Sequence, residues 1–143
     1  MAEPAIEVRL GAWIDLREEA APIRYAVFVD EQKVPAEIEL DDWDALSLHA
    51  LALDAQGRVL GTGRLLPDGH IGRMAVLQSA RGQGVGTALL RALLQAARAR
   101  GDREVVLSAQ THAMPFYEKA GFIAEGDDYD DAGIPHRQMR LSM

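Results

Sequence analysis

Apolar and polar positions change their period several times along the chain, and each change marks an element. Ile6-Glu7-Val8-Arg9-Leu10 alternates apolar with polar, the period of a short strand. From about Ile14 to Asp30, Leu16, Ala20, Ile23 and Val27 recur every three or four residues, which predicts an amphipathic helix with Asp15 near its start. Pro35 disfavours helix at Val34 and opens the acidic segment Glu37 to Asp44, expected as a loop or short helical turn. His49 to Asp54 and Arg58 to Leu66 read as strands joined at Gln56-Gly57. Pro67-Asp68-Gly69 then turns the chain into a third strand, His70 to Leu77. Three neighbouring strands with short turns predict an antiparallel meander.

The period then becomes helical, with Val85, Ala88, Leu89, Ala92, Leu93 and Ala96 on one face and Gly101 as the stop. Glu104 to Gln110 carries Val105, Val106 and Leu107 in a row, as a largely buried strand does. Strand, helix and strand in this order predict a crossover that makes His70 to Leu77 and Glu104 to Gln110 parallel. A short helix from about Met114 to Ala120 and two late strands, Phe122-Ile123 and Arg137 to Leu141, complete a mixed α/β sheet flanked by helices. No repeat, low-complexity tract or linker interrupts the 143 residues, so residues 1–143 are expected to form one domain.

Composition narrows the function. The absence of Cys removes disulfide frameworks, thiolate metal sites and Cys nucleophiles. Met1-Ala2-Glu3-Pro4 carries acid where a secretory leader needs positive charge, and no apolar run reaches the roughly 20 residues of a membrane span, so a cytoplasmic protein is expected. The net charge of −7 argues against nucleic acid or anionic membrane as a partner. That charge is uneven. Residues 1–50 hold 12 acids and 4 bases, residues 51–110 hold 4 acids and 8 arginines, and the last 33 hold 6 acids and 3 bases. A basic middle beside an acidic first third suggests an anionic ligand for one and a cationic ligand for the other.

The glycine-rich stretch Arg81-Gly82-Gln83-Gly84-Val85-Gly86-Thr87 joins the third strand to the long helix. Glycines there let backbone N–H groups turn toward a ligand at a helix N-terminus, an arrangement suited to phosphate. A Walker A loop would need a Lys, and none lies between residues 34 and 118. A dinucleotide fingerprint from Gly82 would need Gly or Ala where Thr87 stands. The spacing that fits is Arg81-x-x-Gly84-x-Gly86 after the strand Gly72-Arg73-Met74-Ala75-Val76, which resembles the coenzyme A loop of the GNAT superfamily of N-acetyltransferases. Ala113-Met114-Pro115-Phe116-Tyr117-Glu118-Lys119-Ala120-Gly121-Phe122 resembles that family's A-x-x-F-Y-x-x-x-G-F segment. The resemblance covers roughly residues 45 to 125, and residues 24–35 are similar to the N-terminal helix of a small bacterial ElaA-like branch.

The resemblance implies the GNAT fold, with acetyl-CoA in a gap between two splayed parallel strands and direct attack by an amine. The backbone of Met74, Ala75 and Val76 would hold the acyl and pantetheine groups. The N–H groups of Arg81, Gly82, Gln83, Gly84, Val85, Gly86 and Thr87 would hold the pyrophosphate of a ligand carrying roughly four negative charges. An amine with a pKa of about 10.4 is neutral at pH 7 only about once in 2,500 molecules, a cost of about 4.6 kcal/mol, so a base is required. Glu31 is a candidate for that base, with Glu39, Asp41, Asp42 and Asp44 as an acidic acceptor wall and His49, His112 and His136 as titratable alternatives. Tyr117 stands where the family keeps its general acid, and Gln110 stands where it often has Asn. No metal is expected. The acceptor is a small-molecule or protein amine, and a homodimer would fit. Two other readings are a non-catalytic acyl-CoA-binding sensor and a nucleotide-binding domain.

Overall fold

The computed structural model describes residues 5–143; Met1–Pro4, on which the expectation about a secretory leader falls, lie outside the described residues. Seven strands form one sheet: β1 (Glu7–Ala12), β2 (Leu48–Leu53), β3 (Val59–Leu65), β4 (His70–Val76), β5 (Glu104–Gln110), β6 (Ile123–Asp131) and β7 (Ile134–Ser142). Their order is β1-β2-β3-β4-β5-β7-β6. The helices are α1 (Trp13–Arg24), α2 (Ala36–Glu39), α3 (Val85–Ala99) and α4 (Met114–Lys119). Among the described residues no helix is long and apolar enough to cross a membrane.

The meander forms as its turns predict, with β1 to β4 antiparallel in succession. Alternation along β2 sends Ala50 and Ala52 into the cluster around Leu89 and Leu93 of α3, and Leu51 and Leu53 into the cluster around Ala20 of α1. The two helices therefore cover opposite faces of the sheet. The long helix expected to Asp30 changes character partway. Regular α-helix ends at Arg24, and a wider π-helical segment runs from Tyr25 to Glu31. The Gln32 N–H donates to Val27 O, five residues back, at 3.0 Å.

The late strands exceed their expected lengths. Gly126 to Asp131 is exposed, acidic and poor in strand formers, so its pattern carried no strand signal, yet it pairs with β7. Ala132 and Gly133 both take positive φ, 53° and 81°, as the two-residue turn of a tight hairpin requires.

Candidate functional site

The crossover makes β4 and β5 parallel, but only His70 pairs with Val106 and Ile71 with Leu107. From Gly72 onward the two strands part, while β5 stays fully paired with β7 on its other edge. A bulge in β4 accompanies the parting: Arg73 takes φ 49°, and the register with β3 shifts between Thr62 and Arg64. A cleft of about 870 Å³ occupies this region and is bordered by Glu31, Met74, Ala75, Val76, Arg81, Gln110, His112, Tyr117 and His136. Asp41 and Asp42 do not border it.

The glycine stretch follows β4 directly. Gly82 and Gly84 take φ 78° and 85°, and a Cβ at either would stand in open space, so these positions are set by backbone conformation. Gly84 caps α3, and the first helical donor is the Ala88 N–H, which reaches Gly84 O at 3.0 Å. Among the described residues none of the N–H groups from Gly82 to Thr87 has a protein acceptor outside the helix's own ladder. Unpartnered donors at the N-terminus of a fifteen-residue helix suit an anion such as pyrophosphate.

Arg81 opens this loop and is itself held. Its guanidinium makes two 2.7 Å hydrogen bonds to the Glu31 carboxylate, and its Nε donates to Val76 O at 3.1 Å. The bond from Arg81 holds the Glu31 carboxyl below the usual carboxylate range. Glu31, expected as a candidate base, is thus engaged by Arg81. An ionised carboxylate with both oxygens engaged is a loop anchor and a weak proton acceptor.

The acids expected to form an acceptor wall are largely engaged within the chain. Arg24, which is 1% exposed, donates from Nε to Glu39 Oε1 at 2.5 Å and from Nη1 to Asp44 Oδ1 at 2.7 Å. Arg64 binds Asp41 at 2.6 Å and Asp44 at 2.8 Å, and Arg73 binds Asp41 at 3.3 Å. Burial would raise Asp44 and Asp41, but the surrounding guanidiniums outweigh it and hold both carboxyls low. Three arginines and three acids thus balance one another within this cluster. Asp42 is exposed and apart from this cluster.

His49 is likewise removed from the chemistry. It is 1% exposed, lies against Trp13 and donates from Nε2 to Asp44 O at 2.8 Å. Burial pushes its pKa down, so it is a neutral core imidazole. His112 is exposed on the turn after β5, and His136 is 8% exposed on β7 opposite Gln110. Gln110 itself forms a reciprocal amide pair with Gln32, at 2.8 and 3.2 Å. Gln32 has no sequence motif, and its place in the site follows only from folding across 78 residues.

Tyr117 projects from α4 beside Phe116 and Phe122, at ring separations of 5.0 and 5.9 Å. Burial pushes its phenol up to about 12, so it is protonated at neutral pH. The start of α3 meets α4 closely, since a Cβ on Gly86 would lie 3.3 Å from Phe116 Cζ. The glycine loop and the helix that bears Tyr117 are thereby coupled by packing.

A sequence profile of the acetyltransferase (GNAT) domain matches residues 14–143. The chain is 41% identical over 126 residues to the uncharacterized N-acetyltransferase YjcF of Bacillus subtilis (strain 168), covering 85% of this chain and 89% of that protein. It is 36% identical over 121 residues to protein ElaA of Escherichia coli (strain K12), covering 80% and 79%. The crystal structure of an acyl-CoA N-acyltransferase from Pseudomonas aeruginosa superimposes with a TM-score of 0.85 at 34% identity, covering 96% of this chain and 100% of that one. That of Escherichia coli ElaA gives 0.84 at 28% identity, covering 95% and 99%. The parted parallel strands, the glycine loop before α3 and these likenesses converge on one conclusion: the chain belongs to the GNAT acetyltransferase family.

Proposed function

We propose that the protein transfers an acetyl group from acetyl-CoA to a primary amine by direct attack on the thioester. Acyl-CoA is here a substrate of the reaction. The observation that carries this reading is the gap beyond Ile71, where β4 and β5 run parallel without pairing, next to a helix start with unpartnered N–H groups. An extended pantetheine arm suits the unpaired β4 edge at Met74, Ala75 and Val76, as an added strand does. The loop from Gly82 to Thr87 suits the pyrophosphate. Its grip is mainly backbone, because Arg81 is engaged by Glu31 and Val76.

Tyr117 acts as general acid toward the departing sulfur. A phenol near 12 keeps its proton at pH 7 and gives it up only where negative charge develops beside it. Gln110 and Gln32 form part of the cleft wall, with the amide pair holding β5 to the segment after α1. The acceptor is a small-molecule or protein amine.

The other reading is a non-catalytic acyl-CoA sensor, and a buried phenol in the cleft weighs against it, since a sensor has no need of an acid at the leaving thiol. The two separate in one experiment. Incubation with acetyl-CoA and a panel of amines, with free thiol followed over time, should show release that depends on amine. Tight coenzyme A binding with no amine-dependent release would favour the sensor, and no binding at millimolar coenzyme A would remove both.

A further inference from the structure

With Glu31 bonded to Arg81 and His49 in the core, the cleft needs another group to take the amine proton. His136 borders the cleft and is 8% exposed. Its Nδ1 lies 2.7 Å from Ile134 O. A carbonyl oxygen only accepts, so Nδ1 carries the hydrogen and donates it, and in the neutral ring the lone pair resides on Nε2. Nε2 has no protein partner among the described residues, and His136 itself borders the cleft.

The ring is also held from outside. Tyr129 of β6 stacks on it, with centroids 6.1 Å apart and planes 24° from parallel, and the Tyr129 hydroxyl is hydrogen-bonded to Ser108 of β5. Asp131 at the hairpin tip and His112 after β5 also border the cleft, as do Asp68 and His70, whose Nδ1 lies 3.0 Å from Asp68 Oδ1. Exposed His112 has no hydrogen bond among the described residues that would set its ring.

We infer that His136 is the general base of the transfer, with Nε2 accepting a proton from the acceptor ammonium so that its freed nitrogen can attack the thioester carbon. The inference rests on the transferase reading above. A primary ammonium carries three N–H protons and the amide product one. One proton first passes to Nε2 and on to water, which frees the nitrogen lone pair, and the neutral amine then forms the C–N bond. As the C–S bond breaks, its electron pair leaves on sulfur, which takes the Tyr117 hydroxyl proton. Tyr117 recovers the second amine proton through solvent.

Two variants test this. His136→Asn keeps an amide donor within reach of Ile134 O and removes the outer nitrogen. His136→Gln keeps a polar group near the Nε2 position that does not accept a proton at neutral pH. With acetyl-CoA and an amine used by the wild type, both should lose about 100-fold or more in kcat/KM for the amine at pH 7 while binding coenzyme A as the wild type does. The deficit should shrink by about pH 9.5, where more amine is already neutral. Wild-type turnover in either variant overturns the assignment. A deficit of equal size at both pH values overturns it too, as does loss of coenzyme A binding, which would place His136 in the framework or the cofactor site. A wild-type protein that releases no thiol with any amine overturns the transferase reading itself, and that result is visible before any variant is made.

Discussion

Tyr117 and Asp44 show two ways in which a single side chain acquires a role that its type alone does not announce. Tyr117 is proposed as the general acid because its place between Phe116 and Gly121 repeats a family segment, and burial raises its phenol to about 12. Tyr117→Phe should lower kcat by about 100-fold or more while coenzyme A affinity stays nearly unchanged, as a thiol-release assay paired with calorimetry would show. Unchanged turnover would remove Tyr117 from its assigned role. Asp44 read as one acid in an acidic run. Its partners Arg24 and Arg64 lie 20 residues away on either side, and only the packed fold brings them to it. Asp44→Asn leaves two buried guanidiniums short of a counter-charge and should cost about 3–5 kcal/mol, measurable as a lower urea midpoint. A midpoint like that of the wild type would show the cluster to be neutral for stability. Glu31 illustrates the same limit from the catalytic side: its partner Arg81 is 50 residues distant, and no local pattern reveals the pair.

At the scale of elements, periodicity located what is regular and local. The meander, α3 and β5 follow the expected boundaries within a residue or two, because their apolar faces are decided by burial against one another. Three features escaped it. The π-helical segment from Tyr25 to Glu31 keeps an apolar spacing close to that of an α-helix, so the wider hydrogen bonding leaves no mark in composition. The β4 bulge at Arg73 is a non-glycine residue at φ 49°, held by bonds to Glu39 O and Asp41 that form only after folding. The β6–β7 hairpin is built from an acidic, exposed run that pairs through its backbone. The glycine loop, by contrast, was plain from spacing. Gly84→Asp would place a side chain at φ 85° and a negative charge beside the proposed phosphate site, so coenzyme A affinity should fall at least tenfold in calorimetry, about 1.4 kcal/mol or more. Binding as tight as in the wild type would contradict the loop assignment.

For the whole molecule, the uneven charge of the sequence turns out to be largely internal. Of the eight arginines in residues 51–110, Arg58, Arg64, Arg73, Arg81 and Arg100 form ion pairs within the chain. Arg64, Arg73 and Arg81 pair with acids of the first third, whereas Arg58 and Arg100 pair with Asp54 and Asp102 of their own segment. Stability should follow the same groups. Burial lowers the His49 pKa in the folded state, so the unfolded chain gains a proton near pH 6.5 that the folded one refuses. This contribution is complete above about pH 6.5 and is lost as pH falls below it, with the lowered carboxyls Asp41 and Asp44 adding losses below about pH 4. The urea midpoint should drop between pH 7.5 and 5.5, and a rise over that interval would contradict the account. The parted strands, the glycine loop and the phenol of Tyr117 support the proposed transfer of an acyl group to an amine. Mass spectrometry of an amine incubated with the protein and isotopically labelled acetyl-CoA tests that claim most directly. The account predicts labelled N-acetylated amine and free coenzyme A thiol in equal amounts; thiol release without any labelled amide, across amines of every class, would contradict it.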